Sequence, residues 1–144
     1  MSEPALRPAT ADDVEHLLAL EALAGAAAHA FVYDDATQGR EFRRWLLDQG
    51  VADHAPPLSE LLVVDGRVAG LLCALPAETL ARRRLLTALA VRRSGAPALP
   101  ASVRGRQERL ATTLLRPAPR DLYLSSLAVL PAYRGRGYAT WLLD

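Results

Sequence analysis

The stretch DLYLSSLAVLPAYRGRGYATWLLD, Asp121 to Asp144, decides how the rest of this 144-residue chain is read. Leu122 to Leu130 is an apolar and aromatic run bounded by Asp121 and Pro131, which predicts a strand. Pro131 to Gly137 follows as a turn with two glycines and two arginines, and Tyr138 to Leu143 predicts a helix that starts directly after Gly137. A strand that breaks into a glycine-rich turn and opens a helix is a device for holding a phosphate. The first amides of a helix lack intrahelical partners and lie at the positive end of its dipole. Glycine lets that backbone come close to a ligand, and Arg134 and Arg136 add charge suited to a phosphate. An anion is the expected occupant.

Two phosphate motifs are excluded. A Walker loop requires a lysine after its second glycine, and the chain contains none. The dinucleotide fingerprint requires a third glycine where Thr140 stands.

Arg134-Gly135-Arg136-Gly137-Tyr138-Ala139 resembles the acetyl-CoA-binding segment of the GNAT N-acetyltransferases, Arg/Gln-x-x-Gly-x-Gly/Ala. The approach through Leu127-Ala128-Val129 and Pro131 resembles the family's apolar strand end and following proline. The resemblance implies an α/β (α+β) acyl-CoA N-acyltransferase fold, with a mixed, mostly antiparallel sheet flanked by helices. It implies acetyl-CoA as acyl donor and a primary amine as acceptor, on a small molecule or a peptide. The backbone of Leu127, Ala128 and Val129 would polarise the thioester carbonyl and pair with the pantetheine arm. The amides from Arg134 through Gly135, Arg136, Gly137 and Tyr138 to Ala139 would take the pyrophosphate.

Length and composition fit one domain over residues 1–144. Hydrophobic residues at 51% and charged residues at 23% give a soluble globular profile. No run approaches the roughly eighteen apolar residues of a membrane span. The acidic N-terminus lacks the apolar centre of a secretory signal. A single cysteine, Cys73, excludes an internal disulfide, so a cytoplasmic location is expected. No metal site is expected near His16 or His29, which read as surface or core-edge residues. The resemblance leaves a homodimer open.

Upstream, Ala5 to Ala9 predicts a short edge strand, and Ala11 to Ala28 a helix capped by Thr10 or Asp12. Thr37 to Gln49 predicts a second helix with Phe42, Trp45 and Leu46 on one face. Those aromatics and Tyr33 read first as core packing and second as a substrate pocket. The loop from Asp53 to Leu58, with His54 among prolines, reads as solvent-exposed. Two apolar runs, Leu61 to Val64 and Arg67 to Leu75, flank Asp65-Gly66 and predict a hairpin. Cys73 falls in its second strand as a core residue.

Residues 77–118 depart from a compact member of the family, as a helical insertion before the fourth strand. Glu78 to Arg93 and Ser102 to Leu115 predict two helices; in the second, Arg104, Arg106 and Arg109 are outward and Leu110, Leu114 and Leu115 inward. The insertion holds nine arginines against Glu78 and Glu108. It reads as a solvated face balancing the acidic N-terminal half, as an electrostatic collar, or, least, as a nucleic-acid surface, for which aromatic interleaving is lacking.

No catalytic residue is assigned. Some relatives carry a glutamate four residues before the apolar triplet, where this chain has Tyr123, a poor base when neutral. Ser125 and Ser126 can hydrogen-bond substrate or water. The family takes its general acid from a helix beyond Asp144, so the resemblance implies a domain incomplete at its C-terminus, with Trp141, Leu142 and Leu143 uncovered. A non-catalytic CoA-binding or regulatory module is the alternative reading.

Overall fold

The computed structural model describes residues 3–56, 58–93, 95–114 and 116–144. Strands β1 (Ala5–Pro8), β2 (Glu60–Val64), β3 (Arg67–Pro76) and β4 (Leu122–Val129) form one sheet in the order β1-β2-β3-β4. All three pairings are antiparallel. Between β1 and β2 lie α1 (Val14–Ala24), α2 (Ala26–Val32) and α3 (Ala36–Gln49). Between β3 and β4 lie α4 (Ala77–Arg93) and α5 (Ala101–Thr113), and α6 (Tyr138–Leu143) follows β4.

The expected hairpin forms at Asp65-Gly66, where both residues have positive φ, 50° and 73°. That is the primed turn whose twist suits a two-residue connection. The insertion leaves the ladder intact at its base: Pro76 pairs with Leu122, and the Ala77 amide donates to the Asp121 carbonyl at 3.0 Å.

Alternation along the strands gives each sheet face its own core. Leu61, Leu71 and Ala128 pack with Leu17, Leu18, Phe42 and Leu46 of α1 and α3. On the opposite face Leu62, Val64, Ala69 and Val129 pack with Leu142. Leu142 is therefore buried by the sheet, a correction to the expectation that it lies uncovered; Trp141 and Leu143 remain exposed.

The helix expected from Ala11 to Ala28 is three pieces. Ala11–Asp13 is a 3-10 turn, and Gly25, a poor helix former, separates α1 from α2. Asp13 is buried beside the Arg7 guanidinium, with contacts of 2.7 and 2.8 Å, and also accepts from the Thr10 amide at 2.8 Å. Those bonds hold its carboxyl well below the usual range despite burial.

In the insertion, only Ala77 and Leu80 of α4 are buried, and Leu85 is 62% exposed, so the predicted apolar stripe is covered only at its start. Val103, not Leu110 or Leu114, anchors α5. Leu115 lies outside the described residues. Arg106 is not outward: its Nε donates to the Val32 carbonyl at 2.8 Å and its Nη2 to Asp34 at 2.5 Å. Both acceptors sit at the end of α2, so this arginine clamps the insertion onto the N-terminal helices. Among the described residues, no helix is long and apolar enough to cross a membrane.

Candidate active site

The corner after β4 is open backbone. Leu130 donates its amide to Ala69 of β3 at 2.8 Å. Antiparallel amides alternate in direction, so those of Val129 and Leu127 point away from β3. β4 has no partner on that side among the described strands. Beyond it, the amides of Gly135 to Thr140 donate to no acceptor among the described residues; the first bond of α6 runs from Trp141 to Gly137. Gly135 and Gly137 have φ of 75° and 80°, a region costly for other residues, and a Cβ at either would meet nothing within 4 Å. The two arginines are partly occupied. Arg134 Nε donates to the Val129 carbonyl at 2.9 Å, tying the turn to the strand end, and the Arg136 guanidinium lies 6.0 Å from the Tyr133 ring centroid.

The other face of β4 borders a cavity of about 380 Å³ between α1, α2, α3, α5 and the loop after α3. A β-bulge shapes its edge. Cys73 pairs with Ser126 and Ala74 with Leu124, which leaves Ser125 as an extra residue. Strict alternation would send Ser125 and Ser126 to opposite faces, whereas both line the cavity. Ser125 Oγ donates to Asp53 Oδ2 at 3.2 Å.

The expectation that the Asp53–Leu58 loop is solvent-exposed is corrected here; Pro57 of that loop lies outside the described residues. Ala52 and Ala55 are buried and His54 has a side chain only 12% exposed. The loop carbonyls are met from inside: Ser59 Oγ donates to the His54 carbonyl at 2.7 Å and Cys73 Sγ to that of Asp53 at 3.3 Å. Small alanines let this backbone sit against the core, which composition rich in Pro, Asp and His conceals.

His54 Nδ1 lies 2.8 Å from Glu21 Oε1 and 2.9 Å from Asp53 Oδ1. Burial pulls the imidazole down, but the bonds to Asp53 and Glu21 and their charges outweigh it, and the pKa rises to about 9. For Asp53 burial pushes upward, yet the bonds from His54 and Ser125 and the His54 charge leave it lowered. Arg43, also buried, donates to the carbonyls of Gly39 at 3.1 Å and Leu18 at 3.4 Å. His29 is held neutral, lowered to about 4 by burial and then by the positive Arg43 and His54. Three buried polar atoms on this cavity lack partners among the described residues: Glu21 Oε2, His54 Nε2 and His29 Nδ1.

Sequence reasoning missed Glu21, Asp53 and His54, which no local motif connects. Tyr33 lines the cavity and Phe42 belongs to the core, with its ring tilted 6.3 Å from that of Tyr33 and stacked 6.1 Å from that of Trp45. Tyr123 lies under the Arg84 guanidinium, 5.4 Å away, and packs with Cys73, Leu75 and Leu80. No group of three or more His, Cys, Asp or Glu among the described residues is arranged for a metal.

The profile of the Acetyltransferase (GNAT) family matches residues 17–144. Among solved structures, the chain is similar to an N-acetyltransferase from Staphylococcus aureus Mu50, with a TM-score of 0.66 and 19% identity over 96% of this chain and 72% of that one. It is similar to a second structure described as an acetyltransferase, with a TM-score of 0.62 and 16% identity over 97% and 70% of the two chains. A third, SsHAT, gives a TM-score of 0.54 and 23% identity over 99% and 74%. At such identities these likenesses establish the fold. A comparison with curated proteins finds no match.

Proposed function

Because the chain belongs to the acetyltransferase (GNAT) family and is an N-acetyltransferase by that membership, we propose that it moves the acetyl group of acetyl-CoA to a primary amine held in the cavity beside β4. The observation that carries this reading is the run of six amides, Gly135 to Thr140, that donate to no acceptor among the described residues and continue the open edge of β4. Acetyl-CoA bound there supplies an activated acetyl group as a thioester. In this reading the outward amides of Leu127 and Val129, with Ala128 between them, form the strand edge for the donor. The turn Arg134-Gly135-Arg136-Gly137-Tyr138-Ala139 receives its diphosphate. Six unsatisfied donors in exposed glycine-rich backbone fit an extended anion.

Glu21 and His54 supply the acceptor side. Glu21 Oε2 has no donor among the described residues, so it accepts an N–H of the bound amine and takes the proton released as the new N–C bond forms. The thioester C–S bond breaks as that bond forms, CoA leaving as its thiolate and taking up a proton from solvent. His54 holds the other carboxylate oxygen and fixes its direction. The carboxylate thus does the work of a general base. A cytoplasmic location accords with a lone free cysteine.

Calorimetry with CoA and a thiol-release assay over a panel of amines test the reading. Wild type should bind CoA, and Gly137→Val should weaken binding about tenfold or more, through the cost of about 1–2 kcal/mol for a side chain at positive φ. Unchanged affinity in that variant would move the donor site elsewhere. CoA binding with no amine turned over would leave the non-catalytic module.

A further inference from the structure

The insertion has a second face. Gln107, Leu110, Ala111 and Leu114 of the α5 segment recur at three- and four-residue spacing and line the cavity together. The helix is seated by its first half, through buried Val103 and the Arg106 clamp on Val32 and Asp34. Its second half supplies no buried residue among those described: Leu114 is 43% exposed and Leu110 half-buried. Ala24, Ala28 and Val32 line the same cavity.

The floor differs from the walls. Glu21, with a side chain only 7% exposed, turns Oε2 toward the cavity without a partner, and His54 Nε2 and His29 Nδ1 are unpartnered beside it. Buried polar atoms without partners are rare and ask for a ligand or water. A cavity of about 380 Å³ lies in the range of small-molecule sites, roughly 300–1,000 Å³. Charge selects further: in the lining Arg43 and His54 stand against Glu21 and Asp53, so the charges are balanced at the floor. A second cationic group on an acceptor would lie against Leu110, Ala111 and Leu114, which offer it no carboxylate.

We propose that the acceptor is a small monoamine with an apolar body: its nitrogen sits on the Glu21–His54 floor and its alkyl or aryl part lies against Leu110, Ala111 and Leu114. The insertion is then the specificity element of the enzyme. This rests on the reading of the cavity as the acceptor site.

Thiol-release kinetics with n-hexylamine, 2-phenylethylamine, ethylamine, spermidine and a peptide with N-terminal leucine test it. The two apolar amines should exceed ethylamine in kcat/KM by about tenfold or more, since each buried methylene adds to binding. The double variant Leu110→Asp/Leu114→Asp should cut the hexylamine-to-ethylamine ratio at least about fivefold, chiefly through KM, with CoA affinity retained as the check on folding. Equal kcat/KM for hexylamine and ethylamine, preference for spermidine, faster turnover of the peptide, or an unchanged ratio in the variant would each overturn the proposal. Should CoA bind while no amine is acetylated, the proposed reaction fails, and calorimetry with hexylamine decides this inference separately. Binding by wild type that weakens in the double variant supports it, and no binding refutes it.

Discussion

Glu21 of α1 and His54 of the loop after α3 share one short contact, Oε1 to Nδ1 at 2.8 Å, while the outer atom of each side chain faces a cavity without a partner among the described residues. A buried contact of this kind leaves a hydrogen-bonding acceptor and donor side by side. It also couples the pocket to pH.

The His54 imidazole has a folded pKa of about 9 against an ordinary 6.5. Its charged form is favoured by folding, so this stability is fully present below about pH 6.5 and is lost as pH rises through 9. The groups facing it are Glu21 from α1, Asp53 from its own loop, Arg43 from α3 and His29 from α2. Chemical denaturation from pH 6 to 10 should show wild type losing on the order of 3 kcal/mol at most. His54→Gln should be nearly flat over that range; a parallel decline in both proteins would contradict the assignment.

Asp13 behaves in the opposite sense. Its folded pKa is depressed, first by the Arg7 bonds, so its stabilisation is present above the usual carboxylate range and lost as pH falls below about 4. Asp13→Ala should cost about 2 kcal/mol at pH 7, a modest figure because Arg7 is 43% exposed and screened. Thermal unfolding of variant and wild type should converge toward low pH. A constant gap down to pH 2 would mean that the loss is packing alone.

Gly39 of α3 touches the Tyr33 ring so closely that an added Cβ would lie 2.7 Å from Tyr33 Cδ2. Alanine gains about 1 kcal/mol of helix propensity, but overpacking costs about 1–3 kcal/mol, and the ring is held among His29 and Phe42. Gly39→Ala should therefore be net destabilising and raise the acceptor KM, because Tyr33 lines the cavity. A stabilised variant with unchanged KM would show that Tyr33 swings aside freely.

Cys73 is fully buried and burial pushes its thiol up to about 11 from 9.0. At pH 8 this leaves roughly a hundredfold less thiolate than an ordinary thiol. Labelling by an aromatic disulfide reagent should be slow in the native protein and immediate in denaturant. Rapid native labelling would place the residue at the surface.

The hairpin, the edge strand, α3, β4, the glycine turn and the insertion were all legible before any coordinates. Each is written in contiguous residues: Asp65-Gly66 for the turn, Asp35 and Gly50 bracketing α3, and Pro131 and Gly137 bracketing the corner. Errors arose where tertiary contacts decided the outcome. Asp53 to Leu58 reads as solvent loop by composition, yet Ala52 and Ala55 seat it in the core. Arg106 reads as a surface charge until the carbonyl that it reaches on α2 is known.

By itself the sequence determined the glycine corner after β4, the proposed donor site, because a run of consecutive open amides needs only local residues, two glycines and a strand to lead into them. Only the tertiary structure decided the cavity proposed for the acceptor, whose polar floor joins Glu21, Asp53, His54 and Ser125 from distant parts of the chain. No spacing encodes that meeting. It depends on the break at Gly25, the bulge at Ser125 and the burial of a proline-bearing loop, each fixed by packing between elements and not by any element alone.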